Sequence, residues 1–377
     1  MIMFESEISA LTKKEDDFNR WRQKNGWVTE KKGTVIRRSE FAPDWLNGDF
    51  ILRGRAYFAV ADMILPLRTF FLKKPIKIGN TNFYLEVKGY GAWGREMSFQ
   101  EHVSGDVFYG MYLEKALQEF ERIKLARNLG ILTPLPVAVV EITRDDYIKK
   151  GMSGFERRLE AEIHFSLRNK MDVVEEMIGE IDELEPKIIA RRLMSFIERN
   201  YKENIVEGVR FVVAKLGNPP PKWGGGIGDA ANVLLSGKPV GYLIRAARCP
   251  IRVGDPSDKN IDTPQFREVA KTTGRAFRIL LENRIVHHCP GTGNWTIARE
   301  LTDFADTFHI DKEERELENH INELKKDGRI KKADLESFVG YLIGPKHTGL
   351  LCPYFLEGLF GEPIGLDEAT RRLLKIF

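Results

Sequence analysis

The chain has 377 residues, 42% hydrophobic and 10% aromatic, and since cores tend to divide beyond roughly 250 to 300 residues, two lobes are expected. Its 58 Lys and Arg against 55 Asp and Glu leave a formal charge of +3, too small to imply a nucleic-acid or membrane-surface partner. Cys249, Cys289 and Cys352 are odd in number, far apart and form no CxxC, which argues against a disulfide framework and fits a reducing compartment. No run approaches the ~18 to 20 apolar residues of a membrane span, and the start MIMFESEISALTKKEDD is too acidic and polar for a signal peptide. The expectation is a cytoplasmic protein with neither a membrane nor a nucleic-acid partner.

Residues 1–45 are charged and weakly periodic and read as an N-terminal extension. From Phe50, Ile51 and Leu52 through Tyr57 to Val60 the chain is rich in β-formers. Asn80 to Val87 suits a pleated strand and ends at Lys88, followed by Gly89, Tyr90 and Gly91. A lysine thus stands at a strand's end before a glycine-rich turn. Tyr109, Tyr112, Leu113, Ala116, Leu117, Phe120 and Ile123 follow three-to-four spacing, which predicts a helix over 107–129 with Gly130 as its C-terminal cap. ILTPLPVAVVEI, residues 131–142, reads as a loop and then a buried strand. Strand, strand, helix, strand over 46–145 is the order of a protein-kinase small lobe, and 146–377 is assigned to a larger, mainly helical lobe with a helical C-terminal extension. The expected class is α+β, protein-kinase-like and two-lobed, with a mostly β N-lobe carrying one helix.

The stretch 173–200 mixes apolar positions with i, i+4 opposite charges and reads as helical, ending before NPPPKWGGGIGD at 218–229. That cluster reads as a mobile connector, because its GGGIG is not followed by the G-K-[ST] of a phosphate loop. PVGYLIRAARCPIRVG, residues 239–254, is strand-like and arginine-rich, and a helix follows with Asp262 as N-cap two positions before Pro264. Residues 311–377 read as helices interrupted near Gly344 to Pro353.

The residues with the strongest chemical signature lie between 285 and 307. His287 is followed seven positions later by Asn294, and Asp303 comes nine positions after that, with Phe304 next. This is the spacing of a kinase catalytic loop and its metal motif: the chain leaves a helix, Asn294 turns inward, a hairpin WTIARELT returns it, and Asp303 arrives opposite. An amide and a carboxylate oxygen suit Mg²⁺, or Mn²⁺, with ATP phosphates completing the octahedron. Where protein kinases keep the aspartate that accepts the substrate proton, two positions after His287, this chain has Cys289. His287, His288 and Cys289 do not read as a zinc site, since neighbours on an extended chain point to opposite sides.

Taken together, Lys88-Gly89-Tyr90-Gly91, NLGILTP at 128–134, LIRAARCPIRVG with Arg245 and Arg252 seven apart, and the Asn294–Asp303 loop occur in an order that resembles the selenoprotein O family. That family consists of pseudokinases that adenylylate proteins. The resemblance implies a kinase-like fold that binds ATP reversed, so that AMP passes to Ser, Thr or Tyr hydroxyls of a protein substrate. It implies that Lys88 contacts phosphates beside the glycine turn of Gly89 and Gly91, held by Glu121, with Glu114 and Glu119 as alternatives. Arg245 and Arg252 would clamp phosphate oxygens, and Asn294 and Asp303 would hold the metal, with Asp303, Asn294 and Lys88 as the catalytic set. The family's acidic residue before the metal-binding asparagine is Gly293 here, which leaves His288, Cys289 and Asp306 as open candidates for a base. Two rival readings stand beside adenylylation: an atypical kinase transferring the γ-phosphate, and a non-catalytic nucleotide-binding pseudokinase. The acceptor and the oligomeric state are open at this point.

Overall fold

The computed structural model describes residues 29–54, 59–60, 63–64, 69–71, 76–88, 111–143, seven helical positions between 148 and 163, 170–181, 185–217, 238–249, 252–254, 261–287, 290–304, 307–326 and 328–377. Its centre is an antiparallel sheet built from β-branched and aromatic segments: β1 (Thr29–Arg38), β2 (Asp49–Gly54), β5 (Thr69–Phe71), β6 (Ile76–Ile78), β7 (Thr81–Lys88), β8 (Met111–Tyr112), β9 (Leu135–Glu141) and β10 (Val240–Ala247). A separate short pair, β3 (Ala59–Val60) with β4 (Met63–Ile64), stands apart from it. The sheet order is β2-β1-β9-β10-β7-β5, with β6 also on β7 and β8 also on β10.

Two expected boundaries move. Part of the stretch read as an N-terminal extension is β1, which pairs with both β2 and β9. The sheet also continues past residue 145: β9 and β10 are direct neighbours, from Gly241 opposite Glu141 to Ala246 opposite Leu135. The chain therefore leaves the sheet after β9, forms helices, and returns to it as β10. Those helices, α2 (Met171–Ile178), α3 (Pro186–Asn200) and α4 (Ile205–Leu216), bury Val174, Leu193, Ile197 and Val212 against the sheet in one apolar core. They cover one face of the sheet.

Because side chains alternate along a strand, the sheet has two chemically distinct faces. Phe83, Leu85 and Val87 of β7 and Tyr242, Ile244 and Ala246 of β10 join the core under α2 to α4. Glu86, Lys88 and Arg245 occupy the alternate positions. Against this second face packs α1 (Leu113–Asn128), which buries Ala116, Glu119, Phe120, Ile123 and Ala126. The expected helix is present but starts at Leu113, because Met111 and Tyr112 pair with β10 as β8.

The second core continues into α5 (Pro264–Glu282), the short strands β11 (Ile285–His287) and β12 (Thr307–His309), and the C-terminal helices α6 (Glu314–Lys326), α7 (Leu335–Ile343), α8 (Pro345–Thr348), α9 (Cys352–Phe360) and α10 (Leu366–Leu373). The cap of α5 is Thr263, whose hydroxyl accepts the Phe266 N–H at 3.2 Å, whereas Asp262 pairs with Arg267 at 2.7 Å. The interruption expected near 344–353 is α8, a 3-10 turn and the start of α9. Gly274 and Gly358 let α5 and α9 cross closely: a Cβ on Gly274 would lie 2.1 Å from the Phe355 carbonyl oxygen, and one on Gly358 2.1 Å from that of Lys271. This crossing anchors the loop that follows α5. No helix among the described residues is long and apolar enough to cross a membrane.

Candidate functional site

After α5 and β11 the chain enters the loop that carries Asn294 and Asp303. His287 is fully buried, its Nε2 lies 2.9 Å from the Thr302 carbonyl oxygen, and its ring meets Phe304 edge-on at 5.1 Å. It therefore holds the backbone on either side of Asp303. The hairpin expected over 295–302 forms: Trp295 bridges Leu301, and the Thr302 N–H and hydroxyl both donate to the Asn294 carbonyl at 3.0 Å. Asn294 and Asp303 are thereby brought side by side at the hairpin's open end. Buried Trp295 stacks on Phe355 of α9, fixing the hairpin to the α5–α9 crossing. Asp303 has φ of +66°, in the left-handed region that non-glycine residues seldom occupy, although Asp tolerates it better than most. Such conformations persist where the surroundings enforce them, and they concentrate at functional sites.

The sheet's second face brings a chain of charges to this point. Arg245 lies directly opposite Glu86 in the β10–β7 register and grips it with two bonds, Nε to Oε2 at 2.7 Å and Nη2 to Oε1 at 2.6 Å. Its Nη1 donates to Glu119 of α1 at 2.9 Å. The other Glu119 oxygen accepts from Lys88 Nζ at 2.8 Å, and Lys88 also binds Asp303. At the far end, Arg252 reaches Glu86 at 3.4 Å. The order Arg252, Glu86, Arg245, Glu119, Lys88, Asp303 alternates in sign, three cations with three anions. The side chains of Arg245 and Glu119 are at most 1% exposed, Lys88 is 18% exposed and Asp303 37%. The row thus runs from the interior to an accessible end at Lys88 and Asp303.

Burial by itself would push the Asp303 carboxyl up, but the charge and hydrogen bond of Lys88 outweigh it and hold the group well below the usual carboxylate range. For Lys88, burial favours the neutral amine, yet Asp303 and Glu119 overcome it and raise its pKa. Glu86 is likewise held ionised against burial, chiefly by Arg245. Arg252 is the exception among the cations, since burial lowers its pKa more than Glu86 restores it. The alternating ion pairs make the cluster a preformed ionic site.

The glutamate that holds Lys88 is Glu119, not Glu121. Glu119 lies three residues after Ala116 and four before Ile123, on the buried seam of α1, whereas Glu121 is half-exposed and pairs with Arg37 at 2.6 Å. Glu121 instead lines a cavity of about 490 Å³ behind α1, with Phe304 and Phe308. Arg245 also departs from expectation: both edges of its guanidinium are engaged by Glu86 and Glu119, so it organises the carboxylates rather than presenting donors to a phosphate. Arg252 sits beside the hairpin, its backbone bridged to Thr296. Gly293 points to open space and places no acid or base next to Asn294. Gly89, Gly91, His288, Cys289, Asp306 and the 218–229 connector lie outside the described residues.

Sequence reasoning passed over Glu86 and Glu300. Glu86 could have been found as the residue two before Lys88, on the same strand face. Glu300 is buried in the hairpin and accepts the Arg248 N–H at 3.0 Å, a long-range contact with no local signal. Comparison with protein-family models, curated proteins and solved structures found no match in any of the three.

Proposed function

We propose that this chain has a two-lobed, kinase-like fold and is a Mg²⁺- and ATP-dependent adenylyltransferase acting on hydroxyl side chains of proteins. The observation that carries the reading is the convergence of Lys88, Glu119 and Asp303, from a strand, a helix and a hairpin, beside Asn294. Strand β7 with its terminal lysine, helix α1 with the paired glutamate, and β9 and β10 returning beside β7 support the small-lobe assignment.

The donor set fits a hard cation. Asp303 already holds a positive group, the Lys88 ammonium, and Asn294 adds an amide at the same end of the hairpin. Among the described residues no cluster of three or more His, Cys, Asp or Glu could hold a metal by itself, so nucleotide phosphates and water would complete the shell, as Mg²⁺ prefers. Bound there, the ion supplies charge stabilisation to the phosphates. Glu119 steers Lys88 toward the phosphate oxygens, while Arg252 backs Glu86 at the buried end of the row. Transfer would join an acceptor hydroxyl oxygen to the α-phosphorus and release pyrophosphate.

A second reading, transfer of the γ-phosphate, is favoured by one observation: the engagement of Arg245 by Glu86 and Glu119 removes one of the two arginines on which the reversed-nucleotide arrangement depends. Incubation with Mg²⁺ and ATP labelled at either the α- or the γ-phosphate separates the readings. Protein-bound label from the α-position alone supports adenylylation, and label from the γ-position alone supports the kinase. Label from neither, with ATP binding intact, supports a nucleotide-binding pseudokinase.

A further inference from the structure

Three segments distant in sequence meet at Glu300. The hairpin that delivers Asp303 carries it, and Leu301 next to it donates its N–H to the Leu132 carbonyl at 2.9 Å, in the turn after α1. Across from it the chain leaves β10. There the Arg248 N–H lies 3.0 and 3.1 Å from the two Glu300 oxygens, and the Cys249 N–H also donates to them. Within the hairpin, the Thr296 hydroxyl donates to Glu300 at 3.3 Å and accepts the Glu300 N–H at 3.0 Å.

The segment beyond continues the same attachment. Arg252 bridges Thr296, the Val253 N–H donates to the Trp295 carbonyl at 2.8 Å, and the Thr292 hydroxyl donates to the Gly254 carbonyl at 2.6 Å. Glu300 is the ionisable acceptor in this ladder and is 1% exposed. A buried carboxylate is costly unless its lone pairs are satisfied, and here they are satisfied by backbone donors of a loop rather than by a matched cation. That arrangement fixes the loop's position relative to the hairpin.

We propose that Glu300 is a positioning residue of the nucleotide site, setting Arg248 and Cys249, and with them Arg252 to Gly254, against the hairpin that carries Asn294 and Asp303. The inference rests on the nucleotide-binding reading above. Glu300 is not a member of the ionic row, and its charge reaches one member, Arg252. It acts through backbone placement, as outer partners of metal sites do when their loss costs about 10- to 100-fold in affinity or activity.

Burial pushes the Glu300 carboxyl up to about 7, against the lowering effect of the Arg248 and Cys249 N–H bonds. The charged groups around it are Arg127 of α1, Arg248 at the exit of β10 and Arg252, and arginines keep their charge throughout the neutral range. The ionised form accepts from all its donors, whereas the protonated form gives up an acceptor site. The loop's hydrogen bonds to Glu300 therefore tighten as pH rises through about 7, working against the burial that disfavours the charge.

The test measures Mg²⁺-ATP affinity by calorimetry, from pH 6 to 8, for the full chain and for Glu300→Gln and Glu300→Asp, with amide hydrogen exchange at Arg248, Cys249 and Val253 read in parallel. Glu300→Gln should bind about 10-fold more weakly at pH 8, lose the strengthening with pH, and exchange faster at Arg248 and Cys249. Glu300→Asp keeps the charge but is one methylene too short, and should also bind more weakly. Wild-type affinity in both variants, with the pH dependence intact, would overturn the role of Glu300 alone. A wild-type chain that binds no Mg²⁺-ATP would overturn the proposed function and this inference together. If Glu300→Gln does not fold, Thr296→Val, which removes one hydrogen-bond partner of Glu300, should show a smaller loss in the same direction, and wild-type binding there would count against the proposal.

Discussion

Along β10, Tyr242, Ile244 and Ala246 face the helices α2 to α4, while Arg245, one residue from Ile244, faces α1 and the hairpin. The same alternation on β7 separates Leu85 from Glu86 and Val87 from Lys88. One face is held by non-directional apolar burial, where each side chain contributes in rough proportion to its area. The other is held by a row of side chains of alternating sign, each paired with the next. An apolar face therefore tolerates trimming, and an ionic row fails when one member is removed.

Substitutions at neighbouring residues can break or sharpen this contrast. The largest effect is expected at Arg245→Met, which leaves Glu86 and Glu119 buried without their shared cation. Breaking a buried pair from one side costs about 3 to 5 kcal/mol, read as a shift in the urea midpoint. Adding Glu86→Leu to that variant should recover part of the loss, since the two groups are coupled. Next comes Asp303→Ala, which should lower transfer by about 100- to 1,000-fold, the range seen when a preorganised electrostatic group is deleted, with the fold intact by circular dichroism. Unchanged transfer in that variant would remove Asp303 from the metal site. Ile244→Val trims one methylene beneath the helices and should cost about 0.5 to 1.5 kcal/mol, leaving ATP binding unaltered. Glu121→Ala should be the mildest, below about 0.5 kcal/mol, with no change in transfer. A large loss of activity there would restore Glu121 as the partner of Lys88.

Where the chemistry follows from local spacing, it was legible in the sequence. The intervals from His287 to Asn294 and on to Asp303 specify a loop and a return hairpin, and that hairpin forms. Lys88 at the end of its strand, the buried strand after α1 and the helix from Pro264 were read from period and caps. What was missed depends on pairing across the chain. Glu86 and Arg245 are 159 positions apart, and nothing near either one announces the other. Glu119 was within reach, because the apolar positions Ala116, Phe120 and Ile123 define the seam on which it lies, but the resemblance drew the choice to Glu121. An amphipathic helix covering a sheet and one packing on other helices have the same pattern, so the seating of α3 on the sheet was not legible from its sequence.

Titration with Mg²⁺-ATP of the wild-type chain, Lys88→Ala, Asp303→Ala and Ile244→Val tests the central claim most directly. The ionic face as nucleotide site predicts binding to the wild type and to Ile244→Val, with binding lost or weakened at least about 10-fold in the other two. Equal affinity in all four would contradict it.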